Sequence, residues 1–212
     1  RDWSSDVCSS DLVYDFFKEM PVLIHTINKN LALKIIDAGI SEDAMIHILT
    51  VKESVTREIY IKDMANFQMG IYQNMFDRIC TRCDDLKKFV QVHSGEILKI
   101  NLYHRTVESR QRNFERLKNL DLTFAFAENT SLEGSPKGIS KASGLIELCK
   151  FLKIDIEDTV AVGDAPNDVE ILKTAGIAAV MANAVEEIKK IADFITDDND
   201  HDGIVKVIEK YF

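Results

Sequence analysis

Helix-like and strand-like segments alternate strictly through the last third of the chain. The segments that carry this pattern after Ser140 are residues 141–152 (helix), 159–162 (strand), 167–175 (helix), 177–181 (strand), 185–192 (helix), 193–196 (strand) and 204–211 (helix). Strands that are joined through helices form right-handed βαβ units, and such units assemble a parallel sheet. The alternation therefore predicts an α/β fold with a parallel sheet for this part of the chain.

The strand at Thr159–Val162 leads into the most distinctive stretch of the sequence. Its side chains are small or β-branched and show no polar alternation, which predicts a strand buried on both faces. Gly163 and Asp164 end the strand, Pro166 begins a helix, and Asp168 falls in the first turn of that helix. Ligands of open parallel sheets bind at the carboxyl ends of the strands, so this stretch is a candidate site.

Two interpretations of the carboxylates remain open from these residues alone. Asp164 and Asp168 can hold Mg²⁺, which prefers one or two carboxylates plus phosphate oxygens, while Asn167 donates to a phosphate. Alternatively, both can serve the helix, with Asp164 as a favoured N-cap and Asp168 placed to suit the positive end of the helix dipole.

Lys141 leaves a similar choice. Ser140 is a good N-cap, which puts the cation of Lys141 in a first helical turn, where the dipole disfavours it. The side chain is either a solvated surface lysine or an ammonium aimed at an anion at the sheet edge that carries Asp164.

Charge, hydropathy and cysteine content exclude several classes of protein. Lys and Arg number 26 against 35 Asp and Glu, a net charge of −9, which argues against nucleic-acid or anionic-membrane partners. No apolar run approaches the roughly 20 residues of a membrane span, and no basic start precedes a signal-like apolar region. Cys80 and Cys83 lack a second pair or a nearby histidine, so they are interpreted as ordinary thiols one turn apart on a helix. We expect a cytoplasmic protein.

The part of the chain before residue 135 has an α+β pattern without an internal repeat. The elements predicted there are strands over 13–17, 21–27, 44–50, 56–61, 97–102 and 122–126, and helices over 28–38, 67–83 and 106–117. Gly39 is expected to end the first helix, and Gly134–Gly138 is the clearest linker. Residues 1–12 are polar and serine-rich, which predicts a disordered tail, and they also resemble translated sequencing adapter.

These motifs together resemble the haloacid dehalogenase (HAD) superfamily, and within it the Cof-type phosphatases with an α+β cap of subclass IIB. Leu132–Lys141 resembles the stretch that carries the lysine of the third motif, and Gly163–Asp168 matches the fourth motif. Val180–Ala184 and Asp202–Ile204 match two weaker signatures, and Val13–Asp15 onward resembles the hairpin that leads into the cap.

The resemblance implies a HAD-like Rossmannoid parallel-sheet core, lacking its N-terminal part, with an α+β cap domain. The domains expected from it are a tail or adapter-derived segment at 1–12, a core hairpin at 13–27, the cap at 28–134 and the C-terminal part of the core at 135–212.

The chemistry that the resemblance implies is Mg²⁺-dependent hydrolysis of small phosphoesters, such as sugar phosphates. In this family an Asp-x-Asp motif supplies the nucleophile, which forms an aspartyl-phosphate, and the general acid and base. Carried over by position, Lys141 stabilises the nucleophile and the transferring charge, Asp164 binds Mg²⁺ and Asn167 contacts phosphate. Asp168 orients Lys141 or a metal-bound water.

The sequence departs from the family at the nucleophile. It contains no Asp-x-Asp-Gly-Thr after a leading strand, and Asp11–Asp15 has the wrong spacing. We therefore expect a fragment of a phosphoric monoester hydrolase, monomeric or homodimeric, that is inactive by itself. A phosphomutase of the same cap class and a non-catalytic HAD-like protein that binds a phosphometabolite or a partner remain alternatives.

Overall fold

The structure is a computed structural model that describes residues 12–15 and 20–212. The strands are β1 Leu12–Asp15, β2 Met20–Ile24, β3 Met45–Thr50, β4 Ser54–Thr56, β5 Cys80–Arg82, β6 Ile97–Tyr103, β7 Leu122–Ala125, β8 Ser131–Pro136, β9 Val160–Gly163, β10 Ile177–Met181 and β11 Phe194–Thr196. The α-helices are α1 Lys29–Ser41, α2 Glu58–Lys62, α3 Gln73–Ile79, α4 Leu86–Val92, α5 Val107–Leu117, α6 Lys141–Leu152, α7 Val169–Thr174, α8 Glu186–Lys189 and α9 Gly203–Tyr211. Turns of 3₁₀-helix occur at Met64–Phe67, Gly70–Tyr72, Ile156–Asp158 and Pro166–Asp168.

The chain divides into two compact units. Ile24–Gly138 forms one, which we call the six-stranded unit, and Ile139–Phe212 with the described residues up to Leu23 forms the other, which we call the parallel-sheet unit. Strands β1 and β2 pair with each other as predicted. The adapter-like residues up to 11 and most of the turn between the two strands lie outside the described residues.

The six-stranded unit is a mixed sheet in the order β5-β4-β3-β6-β8-β7, antiparallel except between β4 and β5. Helix α1 lies directly against this sheet at Gly39. A Cβ atom on Gly39 would come within 2.8 Å of Leu102 Cδ2 and 2.9 Å of Ile46 Cγ1. The prediction that Gly39 ends the helix is wrong, because this glycine permits close packing inside a helix that continues to Ser41. Asn28 caps the start of this helix, since its side chain accepts a hydrogen bond from the N–H of Asn30.

Two further predictions in this unit are wrong because tertiary packing overrides local pattern. The alternating run 56–61 leaves the sheet after Thr56 and forms α2, which buries the neighbours Tyr60 and Ile61 and leaves Ile59 exposed. The long helix over 67–83 is broken into short pieces around Gly70. Its last residues form β5 beside β4, so Cys80 and Cys83 are not one helical turn apart.

The linker predicted at Gly134–Gly138 is also wrong for its first three residues. Ser131–Pro136 forms β8, a strand that pairs with β6 on one side and β7 on the other. The boundary between the two units falls instead after Gly138.

The parallel-sheet unit has the strand order β11-β10-β9, and both strand pairs are parallel. The α/β alternation predicted from the sequence is therefore confirmed. Ala161 and Gly163 of β9 are buried, and Ala161 lies in an apolar cluster with Leu172 of α7 and Ile188 of α8. Val160 and Val162, on the other face, are only half-buried, so burial of β9 on both faces was overestimated.

Candidate functional site

Two neighbouring strands bring polar side chains to one edge of the parallel sheet. Strands β9 and β10 run parallel, so their carboxyl ends meet at the same edge. Asp164 directly follows β9, and Asn183 lies two residues beyond the end of β10. Both belong to the parallel-sheet unit, as does Lys141 at the first residue of α6.

Gly163 makes room for the side chain that organises the turn after β9. The residues Pro166–Asp168 form a 3₁₀ turn that brings Asp168 back towards the strand end. A Cβ atom on Gly163 would lie 2.5 Å from Cβ and 3.0 Å from Oδ2 of Asp168, closer than real atoms approach. The Oδ2 atom of Asp168 accepts hydrogen bonds from the N–H groups of Asp164 and Ala165, each at 3.1 Å. A glycine at 163 therefore allows the carboxylate to close this turn.

The other oxygen of Asp168 binds Lys141. Lys141 Nζ donates to Asp168 Oδ1 at 2.5 Å, and the lysine side chain is 39% exposed against 8% for the aspartate. Ser140 caps α6 as predicted: its hydroxyl accepts from the N–H of Ser143, and the Ser143 hydroxyl accepts from the N–H of Ser140. This reciprocal cap fixes the start of the helix and thereby the position of Lys141.

Asp168 is held as an anion in a buried place. Burial alone would raise the pKa of this carboxyl group. The hydrogen bond from Lys141 and those from the two backbone N–H groups outweigh burial, so the pKa of Asp168 lies below its ordinary value of 3.8. The carboxylate therefore keeps a permanent negative charge against the lysine at neutral pH.

Asp164 is oriented by a residue to which the sequence analysis assigned no role. Asn183 Nδ2 donates to Asp164 Oδ2 at 2.7 Å. The alternative in which Asp164 caps the following helix is wrong: the N-cap position falls at Ala165, and it is Asp168 that binds the N–H groups of the turn. The position of Asn183 just past β10, beside the strand that carries Asp164, is the signal that could have identified it.

Asn167 lies exposed in the 3₁₀ turn, between Pro166 and Asp168. It shares the sheet edge with Asp164 because the turn directly follows β9. Its amide is accessible to a ligand that approaches this edge.

The donors at this edge suit a hard cation better than a zinc ion. Among the described residues no three His, Cys, Asp or Glu side chains are grouped as a complete ligand set. Asp164 supplies a half-buried carboxylate, and both oxygens of Asp168 already accept hydrogen bonds. Mg²⁺ is commonly bound by one or two carboxylates, with water and phosphate oxygens completing its shell, so Asp164 fits this ion.

Comparison with known proteins finds relatives that are named as phosphatases. M6_Spy0533 of Streptococcus pyogenes, which carries a provisional phosphatase name, is 28% identical in a 199-residue alignment that covers 82% of this chain and 73% of its own length. The 5-amino-6-(5-phospho-D-ribitylamino)uracil phosphatase YcsE of Bacillus subtilis is 36% identical over 97 residues. That alignment covers 46% of this chain and only 39% of YcsE.

A solved structure shares the fold at low sequence identity. The subclass IIB sugar phosphatase BT4131 superposes with a TM-score of 0.69 at 18% identity, covering 92% of this chain and 70% of that one. The family model for haloacid dehalogenase-like hydrolases matches residues 11–208. The resemblance inferred from the motifs is thereby confirmed: this chain belongs to the haloacid dehalogenase-like hydrolases.

Proposed function

We propose that this chain is part of a Mg²⁺-dependent phosphoric monoester hydrolase that acts on a small phosphorylated metabolite. The observation that carries the proposal is the juxtaposition of Lys141, Asp168 and Asp164 at the carboxyl edge of the parallel sheet. A cation and a metal-binding carboxylate side by side are what a transferring phosphoryl group requires, because charge develops on its oxygens.

Lys141 is the proposed electrostatic partner of the phosphoryl group. Its side chain is 39% exposed, and one of the three donors of its ammonium is directed to Asp168. The remaining donors can bind phosphate oxygens while Asp168 holds the side chain in place. Asn167, exposed in the adjoining turn, supplies a further donor to phosphate.

Asp164 is the proposed ligand of Mg²⁺, and Asn183 positions it. The hydrogen bond from Asn183 occupies Oδ2 and restrains the carboxylate rotamer. When bound, the ion would neutralise charge on the phosphoryl oxygens. Asp168 stays outside the first coordination sphere in this assignment because both of its oxygens are already bonded.

In the proposed reaction an aspartate of an Asp-x-Asp-Gly-Thr motif attacks phosphorus. The sequence does not contain this motif. We accordingly expect the chain by itself to be inactive. The lack of this motif in the sequence also favours one other function, that of a HAD-like protein that binds a phosphometabolite without hydrolysing it.

The names of two related proteins support the proposed substrate class. YcsE acts on a phosphorylated ribitylaminouracil and BT4131 on sugar phosphates, as their names state. Residues 12–15 and 20–212 include no helix long and apolar enough to span a membrane. We propose a cytoplasmic monomer or homodimer.

The test begins with the genomic locus across the codons for Leu12 and Val13. If the reading frame continues upstream into a strand followed by Asp-x-Asp, the full product should release phosphate from sugar phosphates with Mg²⁺, and Asp164→Ala should abolish the release. Asp155→Asn, an exposed carboxylate in the same unit, is the matched control and should leave the activity unchanged. A full product with Asp-x-Asp and no phosphatase activity would refute the proposal, and a start codon beside Val13 would favour the non-catalytic alternative.

A further inference from the structure

The six-stranded unit contains a pocket to which the proposed hydrolysis assigns no role. Its volume is about 270 Å³, near the lower end of the range for small-molecule sites. It is lined by apolar, aromatic and charged side chains, namely Ile40, Asp43, Arg57, Ile59, Tyr60, Asp63, Phe67 and Arg105. None of the residues of the sheet-edge site contributes to it.

Both carboxylates of the pocket are already paired with one arginine. Arg105 Nε donates to Asp43 at 2.9 Å, and Arg105 Nη2 donates to Asp63 at 2.8 Å. The guanidinium also lies 4.4 Å from the centre of the Phe67 ring. Hydrogen bonds from Asn66 and Arg105 lower the pKa of Asp63, which keeps this carboxylate charged. The guanidinium of Arg105 is therefore already bound to other side chains that line the pocket.

Arg57, the other arginine of the pocket, differs from Arg105 in its contacts. Within the described part of the chain its side chain forms no ion pair, and its Nε atom is shielded from solvent without an acceptor. The guanidinium lies 5.4 Å from the centre of the Tyr60 ring, a geometry that favours a cation over an aromatic face. A shielded donor without an acceptor is unfavourable, so an anion that entered the pocket would gain an electrostatic partner already in place.

We propose that this pocket binds a small monocarboxylate with an apolar or aromatic body, held by Arg57. The planar guanidinium matches a carboxylate through paired N–H donors. Ile40, Ile59 and Tyr60 offer the apolar surface for the body of the ligand. Asp43 and Asp63 line the same pocket and repel additional negative charge, which favours a singly charged acid over a phosphate dianion.

The size of the pocket limits the ligand. A volume of about 270 Å³ suits a ring with one acidic substituent. Benzoate is therefore a suitable probe, and inorganic phosphate is its comparison. The binding test needs no phosphatase activity, so the proposal stands or falls independently of the proposed hydrolysis.

Isothermal titration of benzoate into the whole chain tests the proposal. We expect saturable binding of one benzoate per chain, at least about tenfold weaker in Arg57→Gln, since a hydrogen bond to a charged group is lost. Arg78→Gln, a change of the same kind at an exposed arginine outside the pocket, should bind benzoate as the wild type does. Ile59→Glu provides a second variant, because this side chain is 59% exposed and its replacement adds a repelling charge to the pocket without disturbing the core.

Three results would overturn the proposal: no saturable binding of benzoate, equal weakening by Arg57→Gln and Arg78→Gln, or tighter binding of phosphate than of benzoate. If Arg57→Gln alters the far-ultraviolet circular dichroism, its binding result cannot be used, and the Ile59→Glu variant tests the proposal in its place. Undiminished binding of benzoate by Ile59→Glu would then overturn the proposal.

Discussion

Replacement of Asp168 by asparagine should destabilise the parallel-sheet unit by an amount that the contacts allow to be worked out. The carboxylate is 8% exposed and accepts three hydrogen bonds, two from backbone N–H groups and one from Lys141. The amide of asparagine retains one acceptor oxygen for the backbone but presents a neutral group to the lysine. A hydrogen bond to a charged group contributes about 1.5–3 kcal/mol.

The lysine contribution must be reduced because solvent screens a partly exposed cation. Lys141 is 39% exposed, so its ion pair with Asp168 is worth less than a fully buried one. We expect a loss of about 2 kcal/mol at pH 7, from the lost hydrogen bond of Lys141 together with the weaker bonds that a neutral acceptor makes to the backbone. For a chain of this size, that corresponds to a fall in melting temperature of about 4–8 °C.

The effect should depend on pH in a defined direction. The folded-state pKa of Asp168 is lowered from 3.8, so the folded state releases the proton more readily than the unfolded state. The stabilisation by the carboxylate is therefore fully present above the ordinary value and is lost as pH falls through the lower, folded-state pKa. The difference between wild type and Asp168→Asn should shrink below about pH 4.

Urea unfolding followed by circular dichroism, at several pH values between 3 and 7, measures this difference. Asp155→Asn serves as the control, because it removes an exposed carboxylate from the same unit. If Asp168→Asn unfolds at the wild-type urea concentration at pH 7, or if its deficit is the same at pH 3 as at pH 7, the assignment of Asp168 as a stabilising buried anion is wrong.

Three further predictions concern other contacts. Gly163→Ala should lower stability by about 1–3 kcal/mol, measured by urea unfolding, because the new Cβ would lie 2.5 Å from Cβ of Asp168 and displace it. If Asp164 binds Mg²⁺ as proposed, Asn183→Ala should weaken that binding by about tenfold in calorimetric titration, since Asp164 loses the hydrogen bond that orients it. Burial and the charge of Lys99 lower the pKa of His47 to about 3. Stability should therefore fall by about 1.4 kcal/mol per pH unit as pH drops from 6.5 towards 3, where only the unfolded state takes up the proton. His47→Gln should remove that slope.

Each of these has an outcome that contradicts its reasoning. Wild-type stability of Gly163→Ala would show that the turn can relax away from the strand. Unchanged Mg²⁺ affinity in Asn183→Ala would mean that the carboxylate of Asp164 needs no support. Persistence of the same pH slope in His47→Gln would assign the proton uptake to another group.

The sequence by itself determined the class of fold and the places where chemistry could occur. Alternation of helical and strand periods after Ser140 requires a parallel sheet, because only crossover connections join such strands, and β9 to β11 confirm it. The position of Asp164 after a strand and the cap at Ser140 are local properties of residue type and spacing, so they could be predicted. The assignment of roles to Lys141 and Asp164 in catalysis stays a prediction.

The tertiary structure decided which of these residues act on one another. Lys141 and Asp168 are 27 positions apart, and Asn183 and Asp164 are 19 apart, so no local spacing links either pair. The same holds for the errors in the six-stranded unit. Glycine commonly marks the end of a helix. At Gly39 the glycine instead allows the helix to pack closely on the sheet beneath it, which leaves no room for a side chain.

The physical reason for this difference is the distance along the chain over which the interactions act. Periodicity and capping reflect interactions within one turn or one strand, and these are written in neighbouring residues. Close packing and long-range hydrogen bonds depend on surfaces brought together only in the folded chain. The sequence therefore located the sheet edge, and the family resemblance left Lys141 or a metal-bound water as the partner of Asp168. Only the fold showed that Asp168 holds Lys141 there and that Asn183 holds Asp164.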